Sequence, residues 1–190
     1  MALQIVFITN NYRPYSGGVV SSIDAAVSGL RSLGHEVTII TLDFTGTGAD
    51  EPGVIRLSCP IRFLYKNNPM AIPWRMYHQL AEVLDRLKPD IVHVHHPFFL
   101  GVAGLELAKE RGIPVVFTYH TRYDLYAHYV PLPEELTQPV IQTLVKSFCK
   151  KVDAIIAPSI SLKNFLLEQG IRTPITIIPS SIDRRYFEPH

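Results

Sequence analysis

An alternation constrains this chain more than any other feature. Short apolar, β-branched runs recur at Gln4–Thr9, Glu36–Leu42, Val54–Ser58, Ile91–His95, Val115–Tyr119, Ala154–Pro158 and Ile175–Ile178. Each is nearly continuous in apolar character, as strands are when both faces are covered. Between most of them the apolar spacing becomes helical, over Val20–Leu33, Trp74–Leu87, Leu100–Arg111, Glu134–Lys151 and Ser161–Gln169. Gly34, Gly112 and Gly170 each follow a last helical residue, where a left-handed cap favours glycine. Pro89 blocks further helix after Lys88, and Pro114 and Pro174 stand just before strands. The alternation predicts a single α/β domain, a Rossmann-like three-layer sandwich on a mostly parallel sheet of about seven strands with right-handed crossovers. With 190 residues, 47% of them hydrophobic, the chain can bury one full core.

In such sheets ligands bind beyond the carboxyl ends of the strands. The informative segments are therefore Asn10–Gly18, Asp43–Thr47, His95–Phe99, His120–Tyr129, Ser159 and Ser180–Asp183. Two long stretches, Thr45–Gly53 and Pro60–Pro73, break the rhythm and read as loops. A formal net charge of +1 excludes the global basic field that recruits nucleic acid, so no nucleic-acid partner is expected. Cys59 and Cys149 form no CxxC pair or metal-like spacing and read as small core residues in a reducing compartment. The opening MALQIVFITN lacks a basic flank and is too short to span a bilayer, so it reads as the first strand of a cytoplasmic protein.

Gly17 and Gly18 precede a helix expected to open near Val19. Backbone N–H groups at a helix start favour an anion, and glycine lets a phosphate approach; a plain glycine-rich turn is the alternative. The GxGxxG spacing is absent, so Asp43, although it ends the second strand, does not indicate a nicotinamide enzyme. In IVHVHHP, His93 and His95 share one strand face and His96 stands at its carboxyl end. His120 follows the next strand. Two readings compete: a metal site with Asp124 and His128 as candidate third and fourth ligands, or a hydrogen-bonded pocket floor with one chemically active imidazole. His120, ending a central strand, is the candidate for a catalytic or sugar-binding role.

Several segments in order resemble the family 4 glycosyltransferases of the GT-B fold, from residue 1 to about residue 188. They are PYSGGVVSSI, LGHEVTIIT, KPDIVHVHHP, GIPVVFTYHT, VDAIIAPS and ITIIPSSIDRRYFEP. The resemblance implies the N-terminal, acceptor-binding half of a retaining enzyme that transfers a hexose from a nucleotide-sugar to an acceptor. Residues 1–180 would form that domain, and residues 181–190 would begin the interdomain linker. The nucleotide-sugar-binding half, with its two glutamates, is not in the sequence, and transfer is not expected of this chain alone. Carried over from the family, Gly17 and Gly18 match the loop that approaches the donor diphosphate. His120 matches the histidine whose contacts to the transferred sugar support catalysis, and Asp183 matches the acid of the interdomain PxGxD motif. Ser181 replaces the glycine of that motif, and Ser22 stands where many members have histidine. The family implies no cofactor and no metal: the nucleotide-sugar is a substrate, and catalysis rests on positioning and electrostatic stabilisation.

After His120 the chain reads HTRYDLYAHYVP, with Tyr123, Tyr126 and Tyr129 at every third residue beside Arg122 and His128. The block is either a helix packing an aromatic stripe or the mouth of an acceptor site lined by Tyr123, Tyr126, His128 and Tyr129. It resembles the HTxYxxYxHY stretch of bacterial enzymes that glucosylate diacylglycerol, which makes a membrane lipid the favoured acceptor over a sugar or sugar phosphate. The segment PIRFLYKNNPMAIPWRMY mixes Arg62, Lys66 and Arg75 with Phe63, Tyr65 and Trp74, and Lys146, Lys150 and Lys151 cluster near a helix end. Such mixtures suit a peripheral protein at the inner membrane face. Lysines at a helix C-terminus are also ordinary dipole partners. A stand-alone glycan- or lipid-binding module and a His-ligated metal-dependent hydrolase are the alternative functions.

Overall fold

The computed structural model describes residues 1–46, 51–65, 68–123 and 134–180. Seven strands form one sheet: β1 (Gln4–Ile8), β2 (Glu36–Leu42), β3 (Val54–Leu57), β6 (Ile91–Val94), β7 (Val115–Thr118), β8 (Ala154–Ala157) and β9 (Ile175–Ile177). Their spatial order is β3-β2-β1-β6-β7-β8-β9, and every pairing is parallel. Each expected strand is present. The Pro60–Pro73 segment is a correction: it contains an antiparallel hairpin, β4 (Ile61–Tyr65) and β5 (Asn68–Ile72), rather than a structureless loop.

Helices α1 (Gly18–Ser32), α2 (Met76–Leu87), α3 (Leu100–Glu110), α4 (Glu134–Lys151) and α5 (Ile160–Glu168) connect the strands. Gly34, Gly112 and Gly170 all adopt positive φ, as the cap argument requires. Lys88 ends α2 in the same left-handed region, immediately before Pro89. The two sheet faces are covered unequally. Val20, Ile23 and Val27 of α1 pack with Ile5, Phe7, Val37 and Ile39 on one face. The other face carries the larger core, in which α2, α3 and α4 contribute Leu80, Leu84, Leu100, Ala103, Val145 and Phe148 around Val6, Ile8, Val92 and Val94. Full burial of each large side chain there contributes about 2 kcal/mol.

Small residues let α3 lie nearly on the strands. A Cβ at Gly101 would stand 1.7 Å from the His96 carbonyl oxygen, and one at Gly104 would stand 2.5 Å from Ile8 Cδ1. The first obstacle is backbone and cannot turn aside. Gly101 is therefore fixed by proximity rather than by φ, and it holds the start of α3 against the end of β6.

Candidate functional site

The chain leaves β1 towards β2 on one side and leaves β6 towards β7 on the other. β1 and β6 are neighbours, so the topological switch point lies between their carboxyl ends. One wall of this crevice is the loop after β1, ending at Gly17 and Gly18. The other carries His95 and His96 after β6, with His120 after β7.

The walls are stitched together. The Asn10 N–H donates to His96 Nδ1 at 3.3 Å, and Thr9 Oγ1 lies 3.3 Å from the same nitrogen. Asn10 Nδ2 donates to the Phe98 carbonyl at 3.1 Å, while its Oδ1 accepts the Leu100 N–H at 3.1 Å. Phe99, at the start of α3, has φ 47° and no side chain able to cap, so Asn10 supplies the cap from across the crevice. On the far side of the loop, Tyr12 Oη donates to Asp24 of α1 at 2.7 Å. Burial first, then that carboxylate, pushes the Tyr12 phenol well above its ordinary value. Arg13 bridges Asp24 at 2.7 Å and also pairs with Glu51, which in turn holds Arg56 at 3.0 Å.

The histidines form a ladder on the α1 face of the sheet. His93 stacks on His95 with centroids 4.4 Å apart, and His95 stacks on His120 at 5.2 Å. Phe7 packs against the first two at 4.5 and 4.8 Å. His93 Nε2 bonds Thr118 Oγ1 at 2.7 Å, and His95 Nδ1 bonds His120 Nε2 at 2.9 Å. Burial lowers the pKa of His93 and His96 to about 3 and of His120 to about 4, with His120 adding repulsion at the first two. His95 is pushed well below the ordinary value, by burial first and then by the other histidines. The ladder is therefore neutral near pH 7. Three of its nitrogens bond one another or Thr118, and among the described residues no three His, Cys, Asp or Glu side chains group to hold a metal ion.

Gly17 and Gly18 are both exposed, at the start of a 15-residue helix with no acidic residue in its first turn and no side-chain cap. Gly17 has an extended backbone, and a Cβ there would make only an ordinary 3.5 Å contact with Tyr15; one at Gly18 would meet nothing. No contact within the described protein demands glycine at either position. His120 also lines a cavity of about 300 Å³ with Arg122, Ser159, Ser161, Leu162 and Phe165, between the ends of β7 and β8. The Arg122 guanidinium lies 3.9 Å from the Phe165 ring centre.

Tyr123 packs inward. It meets Phe98 and Tyr119 edge to face at 5.6 and 5.2 Å, and its hydroxyl donates to the His95 carbonyl at 3.3 Å. Tyr126, His128, Tyr129, Asp183 and the candidate ligand Asp124 lie outside the described residues. Asp43 organises its own loop by accepting from the Thr45 and Gly46 N–H groups. Both cysteines are buried and unpaired by disulfide. The sequence marks Asn10 only by its position at a strand end and gives no sign of its three long-range bonds.

The sucrose-phosphate synthase of Thermosynechococcus elongatus superposes with a TM-score of 0.70 at 15% identity, over 99% of this chain and 50% of its own. At that identity the likeness is one of fold, and the class is a Rossmann-like half of a GT-B fold. Residues 16–186 match Glycosyltransferase Family 4, and the chain belongs to that family. It is 30% identical over 187 residues to the alpha-monoglucosyldiacylglycerol synthase of Streptococcus pneumoniae, covering 98% of this chain and 42% of that protein. Against the enzyme of the same name from Acholeplasma laidlawii it is 29% identical, covering 97% and 48%. The chain thus spans rather less than half the length of these curated relatives.

Proposed function

We propose that this chain is the N-terminal, acceptor-binding half of a retaining glycosyltransferase that moves a hexose from a nucleotide-sugar to a membrane lipid such as diacylglycerol. The observation that carries the reading is the switch-point crevice of a family member, with an uncapped, glycine-opened helix start on one wall and His120 on the other. Gly17 and Gly18 would let a donor diphosphate reach the α1 N–H groups, where the helix dipole favours negative charge. His120, neutral near pH 7, would hydrogen-bond the transferred sugar as charge develops in the transition state. Arg122 and the cavity beside His120 would belong to the same site. Tyr123, Tyr126, His128 and Tyr129 are assigned to the acceptor side, and Asp183 to the interdomain motif; Tyr123 itself is packed inward on Phe98 and Tyr119. No cofactor or resident metal enters the reading.

The lipid acceptor draws support from the two diacylglycerol-directed relatives and from the hairpin. There Ile61, Phe63, Leu64, Met70, Ile72 and the following Trp74 are exposed, with Arg75 beside them. Apolar and basic groups standing together suit the headgroup boundary of an anionic leaflet. We assign that contact to the inner face, as a peripheral one; among the described residues no helix is long and apolar enough to cross a membrane.

The test joins this chain to the donor-binding half of a relative and assays hexose transfer from nucleotide-sugars to diacylglycerol in mixed micelles. Transfer is expected, with His120→Ala lowering kcat about 100-fold. Transfer indifferent to that substitution would remove His120 from the chemistry. Transfer only to soluble sugars would replace the lipid acceptor.

A further inference from the structure

We infer that His95 is a positioning residue for His120: its Nδ1–H holds the His120 ring in the tautomer that carries its proton on Nδ1. The functional consequence rests on the reading of His120 given above; the tautomer itself does not. His95 is 1% exposed, enclosed by Phe7, His93 and His120. Its Nε2 is buried and has no hydrogen-bond partner among the described residues. Its Nδ1 has one, His120 Nε2, at 2.9 Å.

One proton must lie on the line between those two nitrogens. If His120 supplied it from Nε2, His95 would carry its own proton on Nε2, as an orphaned donor in the core. Orphaned buried N–H groups are rare and costly, whereas under-satisfied acceptors are better tolerated. Burial removes the third option, a doubly protonated His95. The proton therefore belongs to His95 Nδ1, His120 Nε2 accepts it, and the His120 proton sits on Nδ1. A second imidazole fixes the first, as an outer partner fixes a metal-bound histidine.

The arrangement decides what His120 can do. With Nε2 occupied and Nδ1 protonated, the remaining ring nitrogen of His120 is a hydrogen-bond donor and not a base. It is suited to an oxygen lone pair on a sugar hydroxyl or phosphate, and unsuited to removing a proton from an acceptor hydroxyl.

Long-range nitrogen–proton correlation spectra of the 190-residue chain, labelled at histidine, read the tautomer directly. The expected His120 pattern is a protonated Nδ1 and an unprotonated Nε2 near pH 7. In His95→Leu the two nitrogens should exchange signatures towards the Nε2–H form that free imidazole prefers. In His95→Asn, whose amide N–H can stand near the lost Nδ1, the wild-type pattern should return. A wild-type His120 carrying its proton on Nε2 would overturn the inference, and so would a tautomer indifferent to His95→Leu. Should His95→Leu not fold, the wild-type and His95→Asn spectra still decide. The Nδ1–H pattern, combined with transfer that ignores His120→Ala, would leave the positioning role standing and sink the catalytic one.

Discussion

At the ends of β6 and β7, polar rings are buried and bonded to one another; on the β4–β5 hairpin, apolar side chains stand in solvent. Each arrangement reverses the usual partition of residues between core and surface. Histidine is tolerated in the first region because each ring has a nitrogen with a partner and burial keeps the rings neutral. The second pairs two short strands outside the main sheet, and a two-stranded hairpin is marginal without something to pack on. The first region is thus held in a fixed geometry, while the second carries the apolar surface to which membrane contact is assigned above.

Gly101→Ala should break the rigid region most severely. With the His96 carbonyl 1.7 Å from the new Cβ, the substitution is expected to cost about 3 kcal/mol or more in chemical denaturation. A loss below about 1 kcal/mol would mean that α3 and β6 yield easily, and the contrast with the hairpin would dissolve.

Acid is the next lever. Histidine titrates near 6.5 when unfolded, while His93 and His96 are held to about 3 and His120 to about 4. Between those values the unfolded chain binds more protons, so stability falls as pH falls through the window and is fully present above about 6.5. A loss on the order of 2–3 kcal/mol for each of these histidines is expected from pH 7 to pH 4.5, read from urea midpoints. A flat profile would mean that the ladder is hydrated and protonates freely.

Effects on the hairpin should appear in binding and not in stability. Leu64 is 74% and Trp74 68% exposed. The pair Leu64→Ser and Trp74→Ser is expected to weaken binding to vesicles rich in anionic lipid about 10-fold, with unfolding changed by under about 0.5 kcal/mol. Unchanged vesicle binding would leave the exposed apolar side chains without the membrane role proposed for them. The smallest effect is assigned to Tyr77→Phe. Its hydroxyl donates to Glu106 at 2.5 Å, joining α2 to α3 at an exposed point, and its loss should cost under about 1 kcal/mol. A larger loss in thermal unfolding would extend the rigid region to α2.

The parallel sheet was legible because each of its strands is an apolar run bounded by a glycine, proline or helical pattern. The hairpin escaped because Pro60 and Pro73 bracket it and Pro69 lies within it, all signals of loop. Its alternation of Ile61, Phe63 and Tyr65 is period two, but Leu64 is apolar as well and blurs the pattern. HxH placed His93 and His95 on one face correctly, since side-chain direction alternates strictly along a strand. The bond from His95 to His120 was not legible. It depends on the β6–β7 register, in which His93 lies opposite Val116, so that the two ladder bonds repeat one diagonal step. Gly101 falls within the Leu100–Arg111 helical pattern with nothing to mark it, because close approach of a carbonyl is a tertiary fact with no local signal.

Asn10 gives the crevice a mechanical property. One side chain closes the start of α3 while its own backbone N–H holds His96. Drawing the β1 loop away would release α3 and the β6 end together, at the cost of three hydrogen bonds. The two walls are thereby yoked, so their openings should be concerted and their amides at Asn10 and Leu100 should exchange with solvent as one unit.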